Sequence, residues 1–231
     1  MTTLWLLLKK DVVTELRTRA LASSMLVFAL VVVVVLSLVV QPGGVPSASA
    51  RRMAASALLW LSFFFAAILG LARNFAEGSE LGAWRGLLLT PVGRESLYLG
   101  KVASGTVFVL AMEVVVFPLF LILYGPVATG VSVPGLAAAL AVTAVLATVG
   151  LVAVGVLFTA LASGTAAREA LLAGLVLPVT SPVLLGAVRV TSAVCGGSGW
   201  GGLWRWWALL AGFDLIFLAL GSVLFQYVVE E

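Results

Sequence analysis

The stretch from Ala20 to Val40 contains no charged residue, and similar apolar runs recur five more times along the chain. At about 1.5 Å of rise per helical residue, a run of this length crosses the ~30 Å hydrocarbon layer of a bilayer. Because lipid offers no partner for backbone N–H and C=O groups, a crossing segment must be a helix or part of a closed barrel. Uninterrupted apolar runs lack the alternation of a barrel. The sequence therefore predicts an all-α polytopic membrane protein, with its function located at the interruptions.

The composition agrees with a membrane-embedded chain. Of its 231 residues, 62% are hydrophobic and 10% are charged, and the mean hydropathy is +1.21. These values are too apolar for a soluble domain. The formal net charge is only +3, and the basic residues flank the apolar runs, so nucleic acid is not an expected partner.

The chain has no histidine and one cysteine, Cys195. An intrachain disulfide is therefore excluded, and no Cys/His cluster could hold zinc or an iron–sulfur centre. We expect no metal site and interpret Cys195 as a packing residue or an idle thiol. No nucleophile–base pair occurs at a plausible spacing either, so no catalytic residue is predicted.

Six membrane helices are predicted, separated by sequences rich in helix breakers such as QPGGVPS after Val40 and CGGSG from Cys195. In the fifth helix, Pro178 and Pro182 bracket Thr180 and Ser181, which predicts a kink or two half-helices. The approximate bounds of the six are 21–40, 54–72, 102–124, 135–161, 170–190 and 206–228. The predicted domains are an N-terminal interfacial helix at 1–20 and a membrane domain at 21–231.

Basic residues set the orientation of these spans through the positive-inside rule. With a cytoplasmic N-terminus, nine basic residues lie inside and four outside, which predicts that both termini are cytoplasmic. The inside set is Lys9, Lys10, Arg17, Arg19, Arg73, Arg85, Arg94, Lys101 and Arg168, and the outside set is Arg51, Arg52, Arg189 and Arg205. Trp200, Trp204, Trp206 and Trp207 then fall at the outer interface, where indole rings anchor a helix at headgroup depth.

The N-terminal twenty residues predict an amphipathic helix that lies on the membrane surface. Trp5, Leu8, Val12 and Leu16 recur at helical spacing on one stripe, while polar residues point away. The segment lacks the order of a cleavable signal peptide, so we expect it to be retained. Two roles are open: the helix is a membrane anchor only, or it is an anchor that also supports a cytoplasmic partner.

The longest polar interruption, residues 73–101, carries charges of both signs. Glu77 and Glu80 lie one turn apart near the predicted start of a short helix, where carboxylates suit the positive end of the helix dipole. Leu81, Trp84 and Leu88 form an apolar stripe behind them. Because an anionic leaflet would repel the carboxylates, the pattern favours docking in a protein groove over lying on lipid.

Several motifs resemble heme exporter protein B, the CcmB family. They are EGSELG, GLLLTP and RESLYLGK between Glu77 and Lys101, followed near the C-terminus by FDLIFL and YVVEE. The resemblance runs over essentially the whole chain and is strongest at 58–101 and 213–231.

This resemblance implies a permease subunit of an ABC transporter complex with the type-two exporter architecture, acting in bacterial cytochrome c maturation. It implies a cytoplasmic coupling helix at about 75–88, in which Glu77, Glu80, Leu81, Gly82 and Trp84 touch the ATPase. The implied partners are the ATPase CcmA, the subunits CcmC and CcmD, a second copy of this chain, and the periplasmic heme chaperone CcmE. The implied location is the bacterial inner membrane.

The sequence holds no P-loop, which needs two glycines four residues apart followed by Lys and Ser or Thr. ATP would therefore be hydrolysed on a partner subunit. Two alternatives stay open: a permease of another ABC exporter, for lipid, polysaccharide or drug, and an ATP-independent membrane scaffold.

Two acidic residues, Glu113 and Asp214, fall inside predicted spans, where a charge is costly unless it faces protein or water. No Lys or Arg is predicted at matching depth. We therefore expect protonated carboxyl groups or hydrogen bonds to neighbouring hydroxyls, with Thr143 and Thr148 as partners. We interpret the pair as polar ties between helices or protomers, with a proton or substrate path as the alternative.

The segment GWGGLWRWW from Gly199 is superficially similar to tryptophan-rich segments that accompany heme handling in other cytochrome c maturation proteins. Those segments rely on histidine to ligate iron, and this chain has none. We expect no cofactor bound by this chain and expect a partner subunit to hold heme.

Overall fold

The computed structural model describes residues 9–11, 13, 20–38, 40, 47–80, 93–124, 133–162 and 168–228. Within these ranges the chain folds into six long helices, and a 3-10 turn at Trp200–Gly202 precedes the last of them. The helices are α1 Ala20–Ser37, α2 Ala48–Glu80, α3 Arg94–Tyr124, α4 Val133–Leu161, α5 Arg168–Cys195 and α6 Trp204–Val228.

Five of these helices contain a segment long and apolar enough to cross a bilayer, and α1 contributes a shorter apolar stretch, Ser23–Val35. The predicted all-α polytopic membrane architecture is confirmed. The predicted interfacial helix at 1–20 lies largely outside the described residues, of which residues 9–11 and 13 are helical.

The helices on either side of the predicted 73–101 loop are longer than predicted. α2 has 33 residues and ends at Glu80, and α3 has 31 residues and begins at Arg94. The polar interruption is therefore narrower on both sides than the sequence indicates, because helical structure continues past the end of the apolar residues.

Helix α5 is continuous through both of its prolines. Of the two predicted alternatives, a kink or two half-helices, the second is therefore wrong. Pro182 has no N–H to donate to the carbonyl of Pro178, and the Ser181 hydroxyl donates to that oxygen instead at 2.7 Å. The Thr180 hydroxyl donates to Val176 O at 2.8 Å. A local side-chain bond thus replaces the backbone bond that Pro182 removes, as happens in membrane helices.

Helix α4 forms the centre of the bundle, since it packs against α2, α3, α5 and α6. Its apolar window is 72% buried, against 28% for α3 and 22% for α6. Small residues allow this close packing. A Cβ added to Gly105 in α3 would lie 2.8 Å from Val152 Cγ1 in α4 and 3.2 Å from Leu71 Cδ2 in α2.

Gly105→Leu should lower the free energy of unfolding by about 1–3 kcal/mol, because a side chain there must displace the buried Val152. Gly174→Leu is the matched control, since nothing lies within 4 Å of the Cβ position of this exposed helical glycine. Thermal unfolding of the detergent-purified chain measures both variants. Equal melting temperatures for the two would contradict the described α3–α4 packing.

Candidate functional site

The α2–α3 connection joins two helices at one end of the bundle, which we call the α2–α3 end. The backbone of Glu77 and Glu80 belongs to the last turns of α2. The prediction that a short helix starts near Glu77 is therefore wrong, and the dipole argument fails, because a helix C-terminus carries partial negative charge. The side chains of both glutamates, and all of Leu81, Gly82 and Trp84, lie outside the described residues, so their role in ATPase coupling stays a prediction.

The first turns of α3 carry a fully buried tyrosine, Tyr98, which the sequence patterns did not single out. Its hydroxyl lies 3.1 Å from Ala153 O in α4 and 3.1 Å from Phe217 O in α6. Tyr98 falls in the polar interruption predicted at 73–101, so there was no reason to expect a buried phenol there. Because α3 begins at Arg94, the O–H is buried and needs a partner. What the sequence did not indicate is that this partner is the backbone of two other helices.

The N-terminal segment is attached to α3 near the same end of the bundle. Asp11 Oδ2 accepts a hydrogen bond from Lys101 Nζ at 3.0 Å and from the Ser104 hydroxyl at 3.2 Å. Lys10 Nζ lies 3.5 Å from Asp11 Oδ1. Because Asp11 and Lys101 are 11% and 18% exposed, solvent screens this pair less than a surface ion pair. Asp11 therefore attaches the N-terminal segment to α3 through a partly buried ion pair and a hydrogen bond.

Glu113 in α3 is buried against α4, as a carboxyl group inside a span requires. The Thr148 hydroxyl donates to Glu113 Oε1 at 2.8 Å, which confirms the predicted partner. The prediction of Thr143 as a carboxyl partner is wrong, because its hydroxyl donates to Ala139 O and accepts from Trp207 Nε1. Glu113 Oε2 has no hydrogen-bond partner among the described residues.

Asp214 in α6 is buried against a different residue of α4. A Cβ added to Gly150 would lie 2.5 Å from Asp214 Oδ1, so the carboxyl group occupies the space that this glycine leaves. Within the described part of the chain, Asp214 Oδ1 has no hydrogen-bond partner. Thr148 and Gly150 are two residues apart, so the two carboxyl groups contact α4 at levels about 3 Å apart along its axis.

The four tryptophans from Trp200 to Trp207 lie at the other end of the bundle, around the α5–α6 connection, and are called the tryptophan cluster. Trp200 is in the 3-10 turn and the remaining three begin α6, and the rings of Trp200 and Trp207 pack edge to face at 5.6 Å. Trp200 and Trp204 are exposed, whereas Trp207 Nε1 donates to Thr143 Oγ1 at 3.0 Å. The anchoring role of Trp200, Trp204, Trp206 and Trp207 at a membrane interface stays a prediction.

Cys195 is buried in the small core cluster beside this end. Among the residues that the structure describes, no group of three or more Cys, Asp or Glu side chains is close enough together to hold a metal ion. The described geometry thus consists of hydrogen bonds between helices and two buried carboxyl groups.

A family model described as CcmB protein matches residues 2–230 of the chain. No curated protein matches the chain.

Thr148→Val should lower the free energy of unfolding by about 1–3 kcal/mol, because it leaves the buried Glu113 without its donor. Thr159→Val is the matched control in the same helix, since the Thr159 hydroxyl donates only to Gly155 O of its own helix. Thermal unfolding of both variants in detergent measures the difference. A cost for Thr159→Val as large as that for Thr148→Val would contradict the interhelical bond.

Asp214→Asn should leave assembly and thermal stability within about 1 kcal/mol of the wild type, because the amide has nearly the same shape and no described bond is removed. Co-purification with partner subunits and thermal unfolding measure these two quantities. A fully assembled Asp214→Asn complex that no longer transports would show instead that the carboxyl group takes part in proton or substrate movement.

Proposed function

We propose a function from the following premise. The chain belongs to the CcmB family, whose model matches residues 2–230. It is therefore a multi-pass membrane protein and a permease component of a heme export system in cytochrome c maturation. Our proposal concerns how it works. The chain receives the force of ATP hydrolysis on a partner subunit at the connection between α2 and α3, residues 81–93, which we call the α2–α3 bend. It converts this force into movement of its helices.

The length of α2 is the observation that carries this proposal. Its apolar span ends at Ala72, but the helix continues to Glu80. Those eight further residues extend about 12 Å, which takes the bend past the hydrocarbon layer and through the headgroup region. The bend therefore starts where a water-soluble subunit could bind it.

The charge of this extension supports a protein partner over lipid. It carries Glu77 and Glu80, and the anionic cytoplasmic leaflet would repel both carboxylates. A groove on an ATPase subunit could instead bind them together with Leu81, Gly82 and Trp84. The absence of a P-loop from the full sequence fits the same division of labour, in which this chain is not the enzyme.

We infer the surroundings from the family. The ATPase is CcmA, and the complex includes CcmC, CcmD and a second copy of this chain. The complex either delivers heme to the chaperone CcmE or releases CcmE once it is loaded with heme. Heme is cargo in this scheme, and because the chain has no histidine, a partner subunit supplies the iron ligand.

We also propose the bacterial inner membrane as the location, with both termini and the α2–α3 bend on the cytoplasmic side. Nine basic residues against four support this orientation. It puts the tryptophan cluster at the periplasmic surface.

The double variant Glu77→Ala/Glu80→Ala should lower recovery of the ATPase subunit with the tagged chain about tenfold or more, since removal of a charged hydrogen bond costs about 1.5–3 kcal/mol. Glu95→Ala is the matched control, because Glu95 is an exposed carboxylate in the first turn of α3, beyond the bend. The measurements are identification of co-purified subunits and ATPase activity of the complex.

Normal cytochrome c maturation in the double variant would favour an ATP-independent scaffold. A Trp84→Cys variant in a Cys195→Ser background that is labelled by a membrane-impermeant reagent from the periplasmic side would contradict the orientation. Co-purification of subunits unrelated to cytochrome c maturation would favour a different exporter.

A further inference from the structure

The Tyr98 hydroxyl, at the start of α3, lies within hydrogen-bond distance of backbone carbonyls in two other helices and shares its one proton between them. The hydroxyl oxygen lies 3.1 Å from Ala153 O in α4 and 3.1 Å from Phe217 O in α6, and the residue is completely buried. Its ring packs against Phe225, with the centroids 5.6 Å apart. Both acceptors are backbone carbonyls, so Tyr98 is attached to the helix backbones and not to side chains that could change rotamer.

A glycine in α6 makes this contact possible. A Cβ added to Gly221 would overlap Tyr98 Cζ and the Tyr98 hydroxyl oxygen. Glycine is unfavourable in a helix interior, so its presence here is explained by the space that the phenol ring needs. Tyr98 and Gly221 therefore form one complementary unit between α3 and α6.

Further contacts extend the attachment along α3. One helical turn before Tyr98, Arg94 Nη1 donates to Gln226 O at the end of α6, at 3.5 Å. Two turns after Tyr98, Gly105 lies against Val152 in α4 and Leu71 in α2. Residues 94, 98 and 105 share one face of a helix. That face of α3 is thus fixed to the rest of the bundle immediately beyond the α2–α3 bend.

We propose that Tyr98 is a positioning residue that transmits force: it couples the start of α3 to α4 and α6, so that displacement of the bend moves these helices together. The inference rests on the proposed function, because it names the path by which movement leaves the bend. Loss of the hydroxyl bond weakens the attachment of the start of α3 to α4 and α6, although the Arg94–Gln226 and Glu113–Thr148 bonds remain. Less of the bend's movement then reaches these helices, and less transport results from each ATP hydrolysed.

A purely structural role for Tyr98 would have a different effect. A space-filling ring would be replaced almost fully by phenylalanine, and any loss of folding would lower ATP hydrolysis and transport in proportion. The discriminating quantity is therefore the heme-loaded chaperone formed per ATP hydrolysed, measured with the purified complex in membranes. This ratio does not depend on how much of the complex is folded.

Tyr98→Phe should leave assembly intact and ATP hydrolysis near the wild-type rate, and should lower the product formed per ATP about tenfold. Gly221→Ala should have the same effect by displacing the ring. Two control variants should keep the wild-type ratio. Tyr227→Phe changes an exposed tyrosine of α6, and Gly212→Ala adds a Cβ to a glycine of the same helix with nothing within 4 Å.

A wild-type ratio in an assembled, ATP-hydrolysing Tyr98→Phe complex would overturn the inference and leave the proposed function standing. So would a fall in transport and ATP hydrolysis by the same factor. A wild-type chain that purifies without any ATPase subunit would overturn the proposed function and this inference together. If Gly221→Ala does not accumulate, Tyr98→Phe alone decides.

Discussion

Inside a bilayer, a polar side chain can bond only to protein, and the interior of this bundle is organised by that constraint. The buried indole of Trp60 in α2 donates to Thr191 Oγ1 in α5 at 2.9 Å, and Trp207 in α6 makes the equivalent bond to Thr143 in α4. Other buried hydroxyls, such as that of Ser62, donate to carbonyls of their own helix. These hydroxyl and indole groups therefore either join two helices or bond within their own helix. Glu113 and Asp214 each have a carboxyl oxygen without a partner among the described residues, and Thr106 Oγ1 and Arg51 Nε also lack one there.

Much of the architecture follows from patterns that are local in sequence. Apolar runs predict the spans because hydrophobic length is a property of one segment, and Thr148 could be predicted as a partner of Glu113 because few hydroxyls lie at that depth. The helix ends are less predictable. The polar residues from Arg73 to Glu80 read as a loop, yet they continue α2, because a helix that leaves the membrane no longer needs apolar residues.

The contacts of the candidate site could not be predicted for a different reason. Tyr98 and Phe217 are 119 positions apart, and their contact depends on how α3 and α6 are placed lengthwise beside each other. Composition and periodicity contain no information on that placement. The same limit explains the error at Thr143, which is in a plausible span but faces Trp207. The docking residues from Leu81 to Trp84 lie outside the described residues and rest on the family.

The contacts between α4 and α6 share one numerical property. Thr143 contacts Trp207, and Gly150 contacts Asp214. Ala153 and Phe217 lie on either side of the Tyr98 hydroxyl. In each of these three pairs, the residue of α6 follows the residue of α4 by 64 positions. A constant offset means that the two helices run parallel without lengthwise slip over about 15 Å. Sliding by a single residue would break all of these contacts at once. These contacts therefore favour motions in which α4 and α6 move together over motions in which one slides lengthwise along the other.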